Sequence, residues 1–354
     1  MTFAVGERGA IAKSSSVDLR HLTVGKNSVT AEDGDGDEIV LTLDPKLQKT
    51  AQRILKKSKA HAGAIVMSDV RTGRILVWAS IGDEGDLVRK AKYPGASIFK
   101  VVTASALLEG HYVKPSEQVC FGGGETRLKK EDVEPGCHAG DHKTRFDKAL
   151  GKSINGVFAR LALAHLSVSE ESNMAKAFAI GDSVPFDLSS DTSSVKIPSD
   201  DLGFARAAAG FGDAKLTPLT ALFIMQTIAN DGERVRLHIT GSPDGVTRSS
   251  AGRAISKDTA TKLVRMLEVT TKSGTSKKAF EEKDGKPKVS VAGKTGTLAL
   301  ESPKRLVSWF AGFAPSRKPE VAISVLLAND EKWWRKGNEV ARDVLDAYFA
   351  EKDD

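Results

Sequence analysis

Ser97 and Lys100 stand three residues apart at the head of the apolar stretch Ser97-Ile98-Phe99-Lys100-Val101-Val102-Thr103-Ala104. On a helix that spacing puts both side chains on one face, with Cβ atoms about 5–6 Å apart. A serine becomes a nucleophile only when a base takes its proton. A lysine serves if burial or a second cation lowers its pKa. The helix N-terminus also aims backbone N–H groups at a developing oxyanion. Alone the pair is a weak signal, because a polar helix start followed by a surface lysine gives the same pattern. Ser153-Ile154-Asn155, beside a helical stretch, is equally weak in isolation. A third group, Gly293-Lys294-Thr295-Gly296-Thr297, ends the strand-like run Val289-Ser290-Val291-Ala292. A strand there can lie alongside an extended substrate, with Gly296 offering no side chain to block the approach. Lys294 and the hydroxyls of Thr295 and Thr297 suit a carboxylate.

The elements that must position these residues follow from the pattern around them. Residues 39–43 read as a short strand. Asp44-Pro45 is an N-cap with proline at the first helical position. Its helix carries Leu47, Ala51, Ile54 and Leu55 on one face. Residues 64–69 and 74–79, joined by Val70-Arg71-Thr72-Gly73, form a predicted β-hairpin. Far along the chain, 289–298, 308–314 and 321–328 are β-rich, and a helix from about 338 to 350 closes the sequence. Between these ends lie helical stretches at 148–166 and 170–179. A further helix starts at Thr217-Pro218, runs to Asn230 and stops at Asp231-Gly232. The turn Tyr93-Pro94-Gly95-Ala96 leads into the helix opened by Ser97, which Gly110 ends. Two strands early and three late give an α+β class. The expectation is a five-stranded antiparallel sheet flanked by helices, with an inserted, mostly helical subdomain. Residues 1–40 read as a short N-terminal segment without a domain of its own, and 41–354 as one domain.

Composition narrows the classes. The 354 residues, 40% hydrophobic and 28% charged, exclude wholesale disorder and collagen-like or disulfide-dense chains. Fifty-two basic against 46 acidic residues leave a net charge of +6, which suits an anionic surface such as a cell envelope. There is no dense Lys/Arg block, and aromatics at 6% are too sparse for a base-stacking platform, so nucleic acid is not an expected partner. No segment approaches the roughly 18 apolar residues of a membrane span. Met1–Arg8 lacks the apolar run of a signal peptide. The run Asp33-Gly34-Asp35-Gly36-Asp37-Glu38 resembles the start of a calcium loop. That loop needs Gly at its sixth position and Glu at its twelfth, where this chain has Glu38 and Asp44, so a solvated acidic turn is expected. The two cysteines, Cys120 and Cys137, admit three states. They could be free thiols, a disulfide closing one loop in an oxidising compartment, or zinc ligands together with His138, Asp141 and His142.

Taken together and in order, Ser97-x-x-Lys100, Ser153-x-Asn155 and Lys294-Thr295-Gly296 resemble the motif trio of the penicillin-binding protein transpeptidase domain. The resemblance runs from about Leu41 to Ala350. It includes Leu41-Thr42-Leu43-Asp44-Pro45-Lys46-Leu47-Gln48, Tyr93-Pro94-Gly95-Ala96, Leu216-Thr217-Pro218-Leu219-Thr220 and Ile228-Ala229-Asn230-Asp231-Gly232. It implies a peptidoglycan D,D-transpeptidase that crosslinks stem peptides through a Ser97 acyl-enzyme and is inhibited by β-lactams. Lys100 would be the base, Ser153 the proton relay and Asn155 the partner of the peptide amide. Lys294 would complete the catalytic set with its positive field, Thr295, Gly296 and Thr297 would bind substrate, and the N–H groups of Ser97 and Thr297 would hold the oxyanion. No metal or organic cofactor is implied. The implied partners are stem peptides, β-lactams and cell-wall synthesis proteins. The implied place is the periplasm or extracytoplasmic envelope, with a membrane anchor in a longer precursor left open.

The same residues allow a D,D-carboxypeptidase or endopeptidase, with water as acceptor, and a non-catalytic penicillin-binding sensor or scaffold. Other readings fail on particular residues. A P-loop needs glycine where Lys288 stands. A Gly-x-Ser-x-Gly elbow is broken by Phe99. Class A β-lactamases have Asp where Ile154 stands and need a Glu-x-x-Leu-Asn segment, and the chain has no Leu-Asn pair. Class D enzymes usually have Ser-x-Val, against Asn155. Many family members carry an anchor, a glycosyltransferase or a pedestal domain, whereas about 40 residues precede the match here.

Overall fold

The computed structural model describes residues 17–124, 127–134, 136–281 and 289–353. Met1–Arg8 and Lys288 lie outside the described residues. Helix α1 (Pro45–Lys57) begins as its sequence demands: the Asp44 carboxylate accepts from the N–H groups of Lys46 and Leu47 at 3.0 and 2.9 Å. The hairpin β1 (Ala62–Asp69) and β2 (Ile75–Ile81) follows. A helical region then contains α2 (Lys100–Glu109), α3 (Phe146–Lys152), α4 (Asn155–His165), α5 (Val168–Ala177), α6 (Asp201–Ala208), α7 (Pro218–Ala229) and α8 (Lys257–Lys272). Strands β3 (Ala292–Glu301), β4 (Lys304–Ala314) and β5 (Val321–Asn329) and helix α9 (Gly337–Asp353) complete the chain.

The five strands form one antiparallel sheet in the order β3-β4-β5-β1-β2, so both ends of the domain meet at its centre, where Val325 pairs with Ile65. One face, with Ile65, Met67, Phe310, Ile323 and Val325, packs under α1 and α9. The other, with Ala64, Val66, Trp78, Trp309 and Leu326, packs on α7 and α8. Both faces are dry, which is why the strands read as apolar runs rather than alternating ones; every residue of β5 is buried. Each large apolar side chain so buried contributes roughly 1.5–3 kcal/mol. Helix α7 is buried from Pro218 to Ile228, and Thr217 caps it by accepting the Thr220 N–H at 2.9 Å. This is the predicted α+β arrangement, with the helical region inserted between β2 and β3.

Three details differ from the sequence reading. The single helix expected over 148–166 is two helices, because Ser153 adopts a left-handed conformation (φ 61°, ψ 39°) and Ile154 is extended. The helix expected to open at Ser97 starts with a 3₁₀ turn, Ala96–Ile98, before α2. Order also begins earlier than residue 39. A small antiparallel sheet joins Thr23–Val24, Val29–Glu32 and Glu38–Leu41, and its Val29, Ala31 and Leu41 enter the main core. The acidic run is the turn of that hairpin. Asp33 accepts from the N–H groups of Asp35 and Asp37, both at 2.9 Å, which occupies its carboxylate locally.

Candidate active site

The turn that carries Ser97 is fixed from three sides. Tyr93 and Pro94 pair with Leu216 and Lys215, the Gly95 N–H donates to the Ala214 carbonyl at 2.7 Å, and Trp309 Nε1 donates to the Pro94 carbonyl at 2.9 Å. Ala96 is held at φ 46°, a region that residues with a Cβ rarely occupy. Gly210 passes so close that a Cβ on it would lie 2.5 Å from the Ala96 carbonyl oxygen. Such local strain persists only where the surroundings over-determine it, and it clusters at functional sites.

The Lys100 side chain is fully buried, with Nζ 2.8 Å from Ser97 Oγ and 2.5 Å from the carbonyl oxygen of Ala209. Loss of hydration pushes its pKa well below the ordinary lysine value, and the nearby Lys294 charge pushes it in the same direction. A lysine in that state can accept the serine proton. Lys294 is fully buried too, and its Nζ donates to Ser153 Oγ and to the Thr295 carbonyl, both at 2.9 Å. Burial lowers its pKa to about 7. The break between α3 and α4 explains how Ser153 arrives there, since an unbroken helix would not place a left-handed residue at this point. Asn155 sits in the first turn of α4, with Nδ2 donating to the Gly124 carbonyl at 2.7 Å.

Ser97, Ser153, Asn155, Thr295 and Thr297 line one cleft of about 880 Å³. Lys100 and Lys294 lie beneath its floor, each reaching a serine. Gly296 is buried rather than on the wall: a Cβ there would come within 2.9 Å of the Gly95 carbonyl oxygen and 3.3 Å of the Trp309 side chain. Its glycine lets strand β3 close onto the turn that carries Ser97. All three motifs therefore converge.

Several residues of the site had no sequence signal strong enough to find them. The Ala209 carbonyl, which receives Lys100, is a backbone atom and leaves no mark on residue type. Thr275 lines the cleft, with Oγ1 2.6 Å from Thr295 Oγ1. Its signal was Gly274 just past α8, where a Cβ would lie 2.1 Å from the Gly151 carbonyl oxygen. Phe211, between Gly210 and Gly212, is 42% exposed at the cleft rim.

The cysteines resolve into the disulfide: Cys120 and Cys137 are bonded, with Cα atoms 5.3 Å apart. Asp141, a candidate zinc ligand, is instead ion-paired with Arg160, whose guanidinium also donates to the carbonyls of Asp132 and Gly136 at 3.0 and 3.1 Å. Among the described residues no cluster of three or more His, Cys, Asp or Glu could hold a metal ion.

A buried lysine on a serine, a second buried lysine on a second serine and a strand of threonines define a serine acyl-transfer site on an α+β frame. The sequence profile of the penicillin binding protein transpeptidase domain matches residues 63–347, and the chain belongs to that family. The peptidoglycan D,D-transpeptidase PbpA of Mycobacterium tuberculosis strain H37Rv is 26% identical over 348 residues, covering 85% of this chain and 69% of the relative. Among solved structures, the imipenem acyl-enzyme complex of penicillin-binding protein A from M. tuberculosis superposes with a TM-score of 0.69 at 24% identity, over 88% of this chain and 80% of that one. The D,D-transpeptidase domain of a peptidoglycan glycosyltransferase from Eggerthella lenta gives 0.72 at 21% identity, over 96% and 99% of the two chains.

Proposed function

We propose that the chain is a serine-type peptidoglycan D,D-transpeptidase. The observation that carries this reading is the 2.8 Å contact between Ser97 Oγ and a Lys100 Nζ held in a dry site, at the bottom of a cleft edged by an open strand. The substrate is the D-Ala-D-Ala end of a stem peptide, laid along β3. Its terminal carboxylate meets the hydroxyls of Thr295 and Thr297 and the positive field of Lys294, and Asn155 takes the peptide amide. Lys100 accepts the Ser97 proton as Oγ attacks the penultimate carbonyl carbon. The N–H groups of Ser97 and Thr297 hold the oxyanion. As the C–N bond breaks, Ser153 passes its hydroxyl proton to the departing D-alanine nitrogen and takes one in turn from Lys294 Nζ, 2.9 Å away. When the second amine attacks, its proton returns by the same route and Lys100 gives its proton back to Ser97 Oγ. An amine from a second stem peptide then attacks the ester, regenerates Ser97 and leaves a crosslink.

A penicillin presents a strained amide and a carboxylate in the same relation, so it acylates Ser97 and stays. The imipenem acyl-enzyme of the M. tuberculosis relative supports this part. The family's cell-wall chemistry and the Cys120–Cys137 disulfide favour an extracytoplasmic workplace. Among the described residues no helix is long and apolar enough to cross a membrane. The test is intact mass after incubation with a penicillin, followed by product analysis on a crosslinkable donor and acceptor. One adduct on Ser97 and a crosslinked product are expected. Release of D-alanine with no crosslink would replace the transpeptidase with a carboxypeptidase, and an adduct without turnover of either kind would leave a sensor.

A further inference from the structure

Behind the nucleophile lies a buried acid that the reaction does not use. Glu171, on α5, is fully buried, with Oε1 2.6 Å from Thr103 Oγ1. The same Oγ1 lies 2.8 Å from the carbonyl oxygen of Ala208. Glu171 Oε2 is buried with no hydrogen-bond partner. Thr103 has one proton to donate. A carbonyl oxygen only accepts, so when both contacts are hydrogen bonds the Thr103 proton goes to Ala208. The other bond must then be donated by Glu171 in its acid form. An ionised carboxylate would instead take the Thr103 proton, strip Ala208 of its donor and bury a charge with one oxygen unpartnered.

The position of this relay gives it meaning. Ala208 is followed by Ala209, whose carbonyl receives Lys100. Thr103 and Lys100 stand one turn apart on α2, so the helix grips the C-terminal end of α6 at two successive carbonyls. Burial pushes the Glu171 carboxyl up to about 7, opposed only by the Thr103 hydroxyl. The titratable groups on α2, the helix packed against α5, are Lys100 and Glu109; Glu109 is held by Ser256. Helix α4, which packs on α2, carries Arg160, paired with Asp141, and His165, stacked on Tyr112. Helix α6, packed on α4, carries Asp201 and Arg206, the latter bound to the Leu128 carbonyl. None of them is among the influences on Glu171.

We propose that Glu171 is a positioning residue for the catalytic base: as a neutral acid it directs the Thr103 hydroxyl onto Ala208, which holds the Ala209 carbonyl in place for Lys100. When Glu171 loses its proton, the hydroxyl turns to it and the grip on α6 is released. The inference rests on Lys100 being the base of Ser97.

The experiment measures the rate constant of acylation by a fluorescent penicillin on the whole chain from about pH 6 to about pH 9, with the melting temperature of each protein. The variants are Glu171→Gln, which carries a neutral donor at every pH, Thr103→Ser and Thr103→Val. The ratio of Glu171→Gln to wild type cancels the titrations of Lys100 and Lys294, which both proteins share. That ratio is expected to stay within about 3-fold at the acid end and to rise by about 5-fold or more at the alkaline end, as wild-type Glu171 ionises. Thr103→Val is expected to lose about 10-fold at the acid end and a few degrees of melting temperature, because Glu171 and Ala208 lose their shared partner, and Thr103→Ser to restore both. A ratio that is flat across the range overturns the proposal. So does a Glu171→Gln protein as slow as Thr103→Val at the acid end, or a Thr103→Val protein as fast as wild type. If Thr103→Val does not fold, the Glu171→Gln ratio still decides. Lys100→Arg is run in parallel, and an undiminished rate there would sink the base assignment and not the relay alone.

Discussion

Lys100 and Arg160 are both cations withdrawn from water, and they are treated in opposite ways. Among the described residues Lys100 has no carboxylate beside it; its neighbours are a serine hydroxyl and a backbone carbonyl, and its pKa falls. Arg160, with its side chain 5% exposed, is closed onto Asp141 and two further carbonyls, and it pins the loop that the disulfide also closes. A guanidinium stays protonated in proteins, so burying it requires a counter-charge, and the result is rigid. An ammonium can shed its proton, so burying it without a counter-charge makes a base. The region around Ser97 withholds the partner; the disulfide-closed region supplies one. The two are joined at Gly124, whose carbonyl accepts from Asn155.

The largest expected effect breaks the reactive side outright. Ser97→Ala should abolish covalent penicillin labelling without unfolding the protein, because the site is half-exposed and the change leaves no large cavity. Labelling at the wild-type level, mapped by peptide mass to another serine, would sink the assignment. Lys100→Arg imports the Arg160 solution into the wrong place: a cation that cannot deprotonate. Acylation should fall by at least about 10²-fold. A near wild-type rate in stopped-flow would show that position 100 supplies charge and not proton transfer.

In the disulfide-closed region the losses are in stability. Replacing Cys120 and Cys137 by alanine removes a crosslink with a sequence separation of 17, worth about 3 kcal/mol of unfolded-chain freedom. Urea unfolding should register most of that, while acylation changes by less than about 10-fold, the factor expected from one strained or lost hydrogen bond at Asn155. An acylation loss as deep as that of Lys100→Arg would erase the distinction between the two regions. Arg160→Met leaves Asp141 without its partner and should lower the unfolding midpoint by less than loss of the disulfide does. An unchanged unfolding midpoint would show the pair to be ornamental.

The last effect is a slope rather than a loss. The folded-state pKa of Lys294, about 7, lies below the ordinary lysine value of 10.5. Between those values the unfolded chain binds more protons than the native one, so stability rises with pH across that window. The penalty of the buried charge is fully present below about pH 7. Lys294→Met should flatten the rise, leaving the share that Lys100 contributes with the same sign. Unfolding midpoints at neutral and alkaline pH measure it. A slope equal to that of wild type would mean that Lys294 keeps its proton throughout.

Much of this was legible in the residues. The hairpin of β1 and β2, the late strands, the Asp44 and Thr217 caps and the three motifs are all local patterns, and the structure has them where they were read. What stayed hidden was of two kinds. One is backbone chemistry: the Ala209 carbonyl and the left-handed turn at Ser153 depend on φ and ψ, and Ser153-Ile154 in a helical stretch gives no warning of a break. The other is shortness. The N-terminal strands are two to four residues long among Gly, Ser and Asp, too short for an alternation to register. Arg160 was passed over because it lies in a mostly apolar helix, where a lone arginine reads as solvent-facing; its partner Asp141 drew notice only as a possible zinc ligand in one of the three states open to the cysteines.

The pairing of Val325 with Ile65 also sets a schedule. Ser97 and Lys100 are synthesised before the strands that seat their turn, β3 through Gly296 and β4 through Trp309, which belong to the last part of the domain and are tied to its centre by β5. Pairings so distant in sequence form late, because the intervening loop must be closed before any contact rewards it. A chain interrupted before β5 would hold its nucleophile and base with no sheet centre to press them together. Covalent capture of penicillin is therefore a mark of completion: it reports that the final strand has slotted in, and a growing or broken chain stays chemically silent until it does.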